Sequence, residues 1–319
     1  MHPDDMWSIG ELAEHAGVTV KTVRFYSDRG LLPEAARSGG GHRRYGPEAL
    51  DRLRLIRSLR TLDLPVPDVG RILDREDVLE DVIARQLREL GSQLAALRWR
   101  EAALHLLRDC TPEERADRLR LIGAVTMPPS TASMARFWRR LLPARMPAGL
   151  VSSILEAAVP QPPADPTPGQ VLTFARLHAL VSDRRIGTDQ CRPPSGRSDS
   201  DCHPVVLYQG LGEAYTLASA ELRARRPPQQ GGALDCFVAA HAGSRGLRDT
   251  PAFRQRLVGT LAQTTDPVVE RYWRLTAELA GSPCDPLADV PAGHVEPTMG
   301  AAHHWLRIAL DAQTAAAGR

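Results

Sequence analysis

The chain has 319 residues, and 43% of them are hydrophobic, so it is long enough for two domains and too apolar to be disordered throughout. No run approaches the ~18 consecutive apolar residues of a membrane helix, and the acidic N-terminus lacks the apolar segment of a signal peptide. The net charge is only +2, but residues 21 to 60 carry ten lysine and arginine side chains against four acidic ones, which suits a polyanionic partner.

Two short helices separated by a turn are predicted close to the N-terminus. Ser8 and Glu11 have the spacing of a capping box, in which both side chains accept hydrogen bonds from free amides at the helix start. Gly17 marks the turn after this helix, and Thr19 is placed to cap a second helix over residues 20 to about 29. This order of elements indicates a helix-turn-helix, whose second helix can enter the major groove of DNA.

The second helix is predicted to present a cationic and aromatic face. At about 100° per residue, Val20 and Val23 share one side and are expected to pack inward. The positions that face outward or flank the boundary are Lys21, Thr22, Arg24, Phe25 and Tyr26. Such side chains suit contacts with phosphates and base edges, and all of them except Phe25 are our candidate DNA contacts. For Arg24 a second interpretation stays open, in which it forms an internal salt bridge that holds the helix.

The segment "LLPEAARSGGGHRRY" is predicted to form a β-hairpin that acts as a wing beside the second helix. Leu31-Leu32 and residues 42 to 45 are expected to pair as two short strands, with the glycines 39 to 41 at the tip. The side chains expected to reach the flanking DNA backbone are His42, Arg43 and Arg44. Tyr45 is expected to lie in the core.

A third helix is predicted from Pro47, because proline favours the first turn of a helix. Its apolar stripe consists of Leu50, Leu53, Ile56 and Leu59. Among its arginines, Arg60 is expected to contact DNA, whereas Arg52 and Arg54 are expected to be solvated. The segment "LPVPDVGRIL" predicts a fourth helix, after a turn in which Asp63 can adopt a left-handed conformation.

Residues 76 to 108 predict one long helix, because they contain no proline and only one strong helix breaker, Gly91. An apolar stripe recurs along it in steps of three and four residues, interrupted by Glu101. The stripe consists of Ile83, Leu87, Leu90, Leu94, Leu97 and Leu104. A one-sided helix of roughly 50 Å needs a partner, so the pattern favours a dimeric coiled coil. The alternative is that the helix lies on the C-terminal domain.

The remainder of the chain is predicted to be helical. Thr111 and Glu114 form a second capping box around Pro112. The predicted helices are about 113–125, 131–142, 148–158, 168–183, 210–224, 231–241, 252–263, 266–280 and 299–315. Residues 187 to 204 are polar and are predicted to form a loop.

Several short segments of the N-terminal part match a known family pattern in residue type and spacing. They are Ile9-Gly10-Glu11-Leu12, Gly17-Val18, Thr22-Val23-Arg24-Phe25-Tyr26, Gly30-Leu31-Leu32 and Arg44-Tyr45. On this basis residues 6 to 74 resemble the DNA-binding domain of the MerR family of bacterial transcription regulators, and the resemblance continues to about residue 108. One departure is the turn after the third helix, where Asp63 and Pro65 replace the family's Gly and its Ser or Thr cap.

The resemblance, together with the helical pattern of the remaining residues, predicts a mainly α protein in three parts. These are a winged helix-turn-helix domain (6–74), an antiparallel coiled-coil dimerisation helix (75–109) and an all-helical effector domain (111–319). It also implies a homodimer on a near-palindromic operator, often inside an over-long promoter spacer. The dimer would bend and untwist that spacer so that RNA polymerase engages both promoter elements.

The long C-terminal part is expected to bind a small organic ligand, as family members with large C-terminal domains usually do. Its large aromatic side chains are candidates for lining an apolar pocket. The chosen candidates are Trp138, Tyr208, Tyr272, Trp273 and Trp305. The alternative is a protein that sequesters a drug or metabolite, with a DNA-binding domain that only regulates its own expression.

No metal, cofactor or catalytic site is predicted. Among five cysteines there is no Cys-x-x-Cys pair, and only Cys110 lies where metal-sensing relatives carry their ligands. We find no Gly-rich phosphate loop and no nucleophile elbow, so we expect no enzyme activity. Cys191 and Cys202 are either a redox pair or two ordinary loop thiols. An odd number of cysteines without a secretion signal favours a reducing cytoplasm, beside the nucleoid.

Overall fold

A computed structural model describes residues 6–183, 203–264, 266–281 and 297–317. These residues form fourteen α-helices and one small three-stranded sheet, so the mainly α fold with a winged helix-turn-helix is confirmed. The chain divides into two compact units, Met1–Gln93 and Leu94–Arg319, which meet inside one long helix. The three domain boundaries expected from the sequence stay a prediction.

The N-terminal unit contains the strands and the first helices. Its strands are β1 (Trp7–Ser8), β2 (Ala36–Arg37) and β3 (Arg43–Tyr45). Its helices are α1 (Ile9–Ala16), α2 (Val20–Asp28), α3 (Pro47–Arg60) and α4 (Val66–Asp74), followed by a 3₁₀ turn (Glu76–Val78) and the first part of α5 (Leu79–Arg108).

Local chemistry sets the ends of α1 and α2. The Ser8 side chain accepts from the Glu11 amide, and the Glu11 carboxylate accepts from the Ser8 amide, as a capping box requires. Gly17 ends α1 with φ 62°, which is the left-handed conformation that glycine adopts without strain. Thr19 caps α2 by accepting from the amide of Thr22 at 3.1 Å. The predicted helix-turn-helix is therefore confirmed.

The predicted strand at Leu31-Leu32 is wrong. These two leucines follow Gly30, whose φ of 74° turns the chain out of α2, and both are buried in the core of this unit. The strand that pairs antiparallel with β3 is instead β2, with Arg37 opposite Arg43. On its other edge β3 pairs with β1, a strand that the sequence did not reveal because it is two residues long.

The core of the N-terminal unit lies between its helices and the sheet. Its fully buried side chains are Leu12, Val23, Leu32, Tyr45, Leu53, Ile56, Leu64, Val69 and Val82. Val20, the first residue of α2, is in contrast 41% exposed, so the expectation that it packs inward is wrong. Asp63 adopts the left-handed conformation with φ 57°, as predicted.

Every regular element in the described residues of the C-terminal unit is a helix. Its helices are the end of α5, α6 (Pro112–Gly123), α7 (Ala132–Leu141), α8 (Ala148–Ala158), α9 (Pro168–Ser182), α10 (Pro204–Arg223), α11 (Gly232–Gly243), α12 (Pro251–Thr264), α13 (Pro267–Leu279) and α14 (Met299–Ala317). The capping box of Thr111 and Glu114 is present. Helix α10 begins six residues earlier than predicted, because Pro204 occupies a first-turn position, where a missing amide costs nothing.

Two hydrophobic clusters build this unit. One contains Trp99 and Leu106 of α5 together with residues of α7, α8, α9 and α13. The other is formed by α10, α11, α12 and α14 around Phe237 and Trp305. Among the described residues no helix is long and apolar enough to cross a membrane. The possible redox pair Cys191 and Cys202 lies outside the described residues.

Candidate DNA-binding and dimerisation surfaces

Helix α2 presents three cations and an aromatic ring to solvent. Lys21, Arg24, Phe25 and Arg29 are exposed. The Arg29 guanidinium carbon lies 4.2 Å from the centre of the Phe25 ring, a cation–π contact that holds both side chains on the same face. Arg24 makes no ion pair with any described residue, so the internal salt bridge considered for it is not formed. This face therefore offers free positive charge.

The other two candidates on α2 are less available. Tyr26 is 8% exposed and its ring packs in the core, edge to face with Phe25 at 5.3 Å. Thr22 is half-buried, and its hydroxyl group shares a 2.9 Å hydrogen bond with the Thr19 hydroxyl group. Only the accessible edges of these two side chains are available to a ligand.

The wing arginines are engaged by carboxylates. Arg43 donates to Asp28, the last residue of α2, at 2.6 Å and lies 3.4 Å from Glu34. This hydrogen bond to Asp28 is the main cause that raises the pKa of Arg43 above its usual value. Arg44 lies 3.7 Å from Glu11. His42 is exposed, and its amide donates to Ser38 across the loop that ends the wing.

Three arginines of α3 donate hydrogen bonds to backbone carbonyl groups of the N-terminal unit instead of extending freely into solvent. Arg60 donates to the Leu64 carbonyl group and so closes the turn after α3, which weakens its case as a DNA contact. Arg52, expected to be solvated, donates to the carbonyl groups of Leu31 and Leu73 and pairs with Asp74. Arg57 similarly satisfies the last carbonyl group of α1.

The apolar stripe of α5 is exposed along its whole length. Its members are between 41% and 63% accessible: Ile83, Leu87, Leu90, Leu94, Leu97 and Leu104. Other faces of the helix are packed towards its two ends. Val82 lies in the core of the N-terminal unit, and Trp99 lies in a core of the C-terminal unit, where its indole N–H donates to the Pro163 carbonyl group. The second interpretation, packing on the C-terminal part, therefore holds for the face that carries Trp99, and the coiled coil stays a prediction for the exposed stripe.

The five aromatic ligand candidates do not converge. Trp138, Tyr272 and Trp273 form one cluster, with ring centres 5.0 Å to 5.4 Å apart. Trp305 belongs to the other core cluster, where its indole N–H donates to the Arg226 carbonyl group, and Tyr208 is half-buried on α10. Within the described residues these five side chains are therefore divided between different parts of the structure.

A groove between α13 and α14 contains one of these aromatic residues. Its volume is about 250 Å³, and Trp273, Arg274, Gly300, His303 and Arg307 are among its lining residues. Gly300 lies directly against Trp273, since a Cβ atom there would be 2.7 Å from the Trp273 Cβ. No group of three metal-ligating side chains occurs in the part of the chain that the structure describes.

Comparison with known proteins matches residues 7–76 to the model of the MerR HTH family regulatory proteins. The HTH-type transcriptional regulator ZntR homolog of Haemophilus influenzae is 30% identical over 121 residues, which are 36% of this chain and 90% of that protein. The chain belongs to the MerR family.

Another relative matches a smaller share of the chain. The nodulation protein NolA of Bradyrhizobium sp. (strain NC92) is 39% identical over 89 residues, which make up 28% of this chain and 38% of that protein. This chain thus spans about two fifths of the length of that relative. A crystal structure of a MerR family transcriptional regulator from Bacillus cereus covers 48% of this chain and 95% of its own, at 24% identity and a TM-score of 0.24.

Two residues of this MerR protein's candidate surface were missed from the sequence. Arg29 lies four positions after Phe25, a helical spacing that predicts contact between the two side chains. Asp28 pairs with Arg43, fifteen residues away, and local spacing gives no signal for that contact.

Proposed function

We propose that this MerR family member is a DNA-binding transcription regulator that acts as a homodimer on a near-palindromic promoter operator. The observation that carries the proposal is the exposed face of α2, where Lys21, Arg24 and Arg29 surround Phe25 beside a β-hairpin wing. Free cations give salt-dependent affinity for phosphates, and a helix of this kind fits the major groove. The cytoplasm, beside the nucleoid, is where such a protein would act.

The exposed stripe of α5 supports the homodimer. Six large apolar side chains in coiled-coil spacing on one helix form a patch that monomeric proteins rarely leave in water. A second copy of α5 would cover it and would bring two α2 helices to one duplex. Two half-sites then explain a near-palindromic operator. We further propose that the dimer distorts the promoter spacer and so controls RNA polymerase.

The groove between α13 and α14 is our candidate site for a small organic ligand. Trp273 offers an indole surface, and Arg274, His303 and Arg307 offer polar groups. Isothermal titration with a panel of aromatic compounds, comparing the wild type with Trp273→Ala, tests this site. Binding that leaves transcription unchanged would favour the alternative function, sequestration of the compound.

Footprinting on the protein's own upstream region tests the regulator function. We expect a protected site with two symmetric halves inside the promoter spacer, and light scattering should give the mass of a dimer. No binding to any duplex at low salt would reject the proposal.

A further inference from the structure

A chain of charged side chains joins the wing to the end of α2. Asp28, the last residue of α2, accepts from Arg43, the first residue of β3, at 2.6 Å. The Arg43 Nε atom lies 3.4 Å from Glu34, and Glu34 also accepts from Arg37 of β2 at 2.9 Å. Two carboxylates thus neutralise two arginines between the end of α2 and the two strands of the wing.

A second link joins the same two elements. The Tyr45 hydroxyl group donates to the Ser27 hydroxyl group at 2.9 Å, and Ser27 donates to the Leu32 carbonyl group. Tyr45 is fully buried and lies two residues from Arg43 on β3. One strand of the wing is therefore attached to α2 by a buried hydroxyl group and a surface ion pair. The ion pair sits on the side that solvent reaches.

The geometry makes Arg43 a poor candidate for a primary phosphate contact. The Arg43 side chain is 33% exposed and its guanidinium already binds two carboxylates, whereas Arg24 is exposed and unpaired within the described chain. Arginine suits a bridge of this kind, because its planar fork reaches two acceptors at once and the compact ammonium of lysine does not. A phosphate that approached Arg43 would have to displace Asp28 and would meet its negative charge.

We propose that Arg43 is a positioning residue, which fixes the wing relative to α2 through Asp28 and Glu34 rather than by contacting DNA itself. The inference rests on the proposed DNA-binding function. It replaces the simpler expectation that every wing arginine adds one phosphate contact. It also makes an acidic residue, Asp28, a requirement for correct DNA recognition.

Removing the Asp28 charge distinguishes a phosphate contact by Arg43 from a positioning role, because the two roles predict opposite changes in DNA affinity. If Arg43 contacts phosphate, Asp28→Asn frees that arginine, removes a repulsive charge and strengthens binding to any duplex. If Arg43 positions the wing, Asp28→Asn weakens operator binding about fivefold, as should Arg43→Ala, and the double variant loses no more than either single one. Arg43→Lys should lose nearly as much operator affinity as Arg43→Ala, because lysine cannot bridge both carboxylates.

The measurement is fluorescence anisotropy of the full chain with a footprinted operator and with a random 30-bp duplex, over a range of salt concentrations. Arg24→Ala should reduce the slope of log affinity against log salt by about 0.9, as for one lost phosphate contact. Arg43→Ala should leave the slope unchanged. Asp51→Asn is the matched control for Asp28, because Asp51 forms an exposed pair with Arg54 on α3 and should change affinity less than twofold.

Three results would overturn the positioning role. They are tighter operator binding by Asp28→Asn, additive losses in the double variant, and a slope reduced by about 0.9 in Arg43→Ala. Melting curves verify folding, and only a small change is expected because exposed ion pairs contribute little stability. If the wild type bound no duplex in a salt-dependent manner, the proposed function itself would fail, and the positioning role with it.

Discussion

At the scale of single residues, arginines in the N-terminal unit have three different uses. Arg24 is exposed and unpaired within the described chain, Arg43 bridges two carboxylates, and Arg52 donates to backbone carbonyl groups. The sequence shows the same residue type in all three cases. Charge counting therefore locates the positive region, but only the contacts of each guanidinium show which charges remain available to a polyanion.

Arg52→Ala should destabilise the N-terminal unit. The change removes the donor for the carbonyl groups of Leu31 and Leu73 and the partner of Asp74. Part-buried acceptors that lose a charged donor cost roughly 1–3 kcal/mol. Urea unfolding followed by circular dichroism measures the loss. Arg54→Ala, which removes an exposed pair on the same helix, should change stability by less than about 0.5 kcal/mol. Equal losses in the two variants would contradict this assignment.

Whether a residue's role can be predicted from the sequence depends on how far apart in the chain the contacting residues are. The caps at Ser8, Thr19 and Thr111 involve partners three residues away, and each was predicted. The Asp28–Arg43 pair depends on a hairpin whose first strand was misplaced, since two consecutive leucines in the core resemble a short strand. Long-range pairs become visible only when the tertiary fold is known.

At the scale of elements, α5 combines a packed face and an exposed face. Trp99 and Leu106 are buried in a C-terminal core, while Leu94 and Leu97 are about half exposed. The periodicity of three and four residues identified the apolar stripe, and its role in dimerisation stays a prediction. This periodicity could not show that Val82 and Trp99, on other faces of the helix, are buried in two different cores, because a helix with more than one apolar face has no clear amphipathic pattern.

Leu94→Lys should weaken the dimer, because each subunit would place a charge in the middle of the apolar stripe. Analytical ultracentrifugation should show a dissociation constant raised at least tenfold, and operator affinity should fall with it. Leu119→Lys is the matched control: Leu119 on α6 is 52% exposed, close to the 49% of Leu94, and lies off the stripe. A dimer unaffected by Leu94→Lys would exclude this face of α5 as the interface.

Two glycines of α10 should respond oppositely to alanine. At Gly210 a Cβ atom would lie 2.6 Å from the Ala240 Cβ, so Gly210→Ala should destabilise the C-terminal unit by roughly 1–3 kcal/mol. Gly212 has no neighbouring atom within 4 Å of such a Cβ, so Gly212→Ala should gain up to about 1 kcal/mol from helix propensity. Thermal unfolding measures both. A stabilised Gly210→Ala variant would contradict the close approach of α10 and α11.

At the scale of the whole molecule, the two units differ in how far their histidines are withdrawn from solvent: His241 is buried and His303 is partly buried. In the C-terminal unit, burial lowers the pKa of His241 and of His303 to about 4. The His303 Nδ1 atom shares a 3.1 Å hydrogen bond with the Tyr215 hydroxyl group, and the buried Nδ1 atom of His241 has no partner among the described residues. In the N-terminal unit, His15 and His42 are exposed. Acid should therefore affect the C-terminal unit first.

The expected sign follows from proton linkage. The unfolded histidines titrate near their usual pKa of about 6.5, so between that pH and about 4 the unfolded chain binds protons that the folded unit excludes. Stability is complete above about pH 6.5 and declines as the pH falls, by an amount on the order of 3 kcal/mol per histidine at full protonation. Urea unfolding at pH 7.5 and pH 5 should show a C-terminal transition that moves to lower urea at the acidic pH.

His241→Met isolates this effect, because methionine fills an apolar site and cannot titrate. The variant should lose part of the pH dependence between about pH 6.5 and 4, since one of the two histidines no longer accepts a proton in the unfolded chain. The control variant His15→Gln should leave the C-terminal transition unchanged, since His15 lies in the other unit. A C-terminal transition that is independent of pH in the wild type would show that both histidines remain accessible to protons in the folded unit.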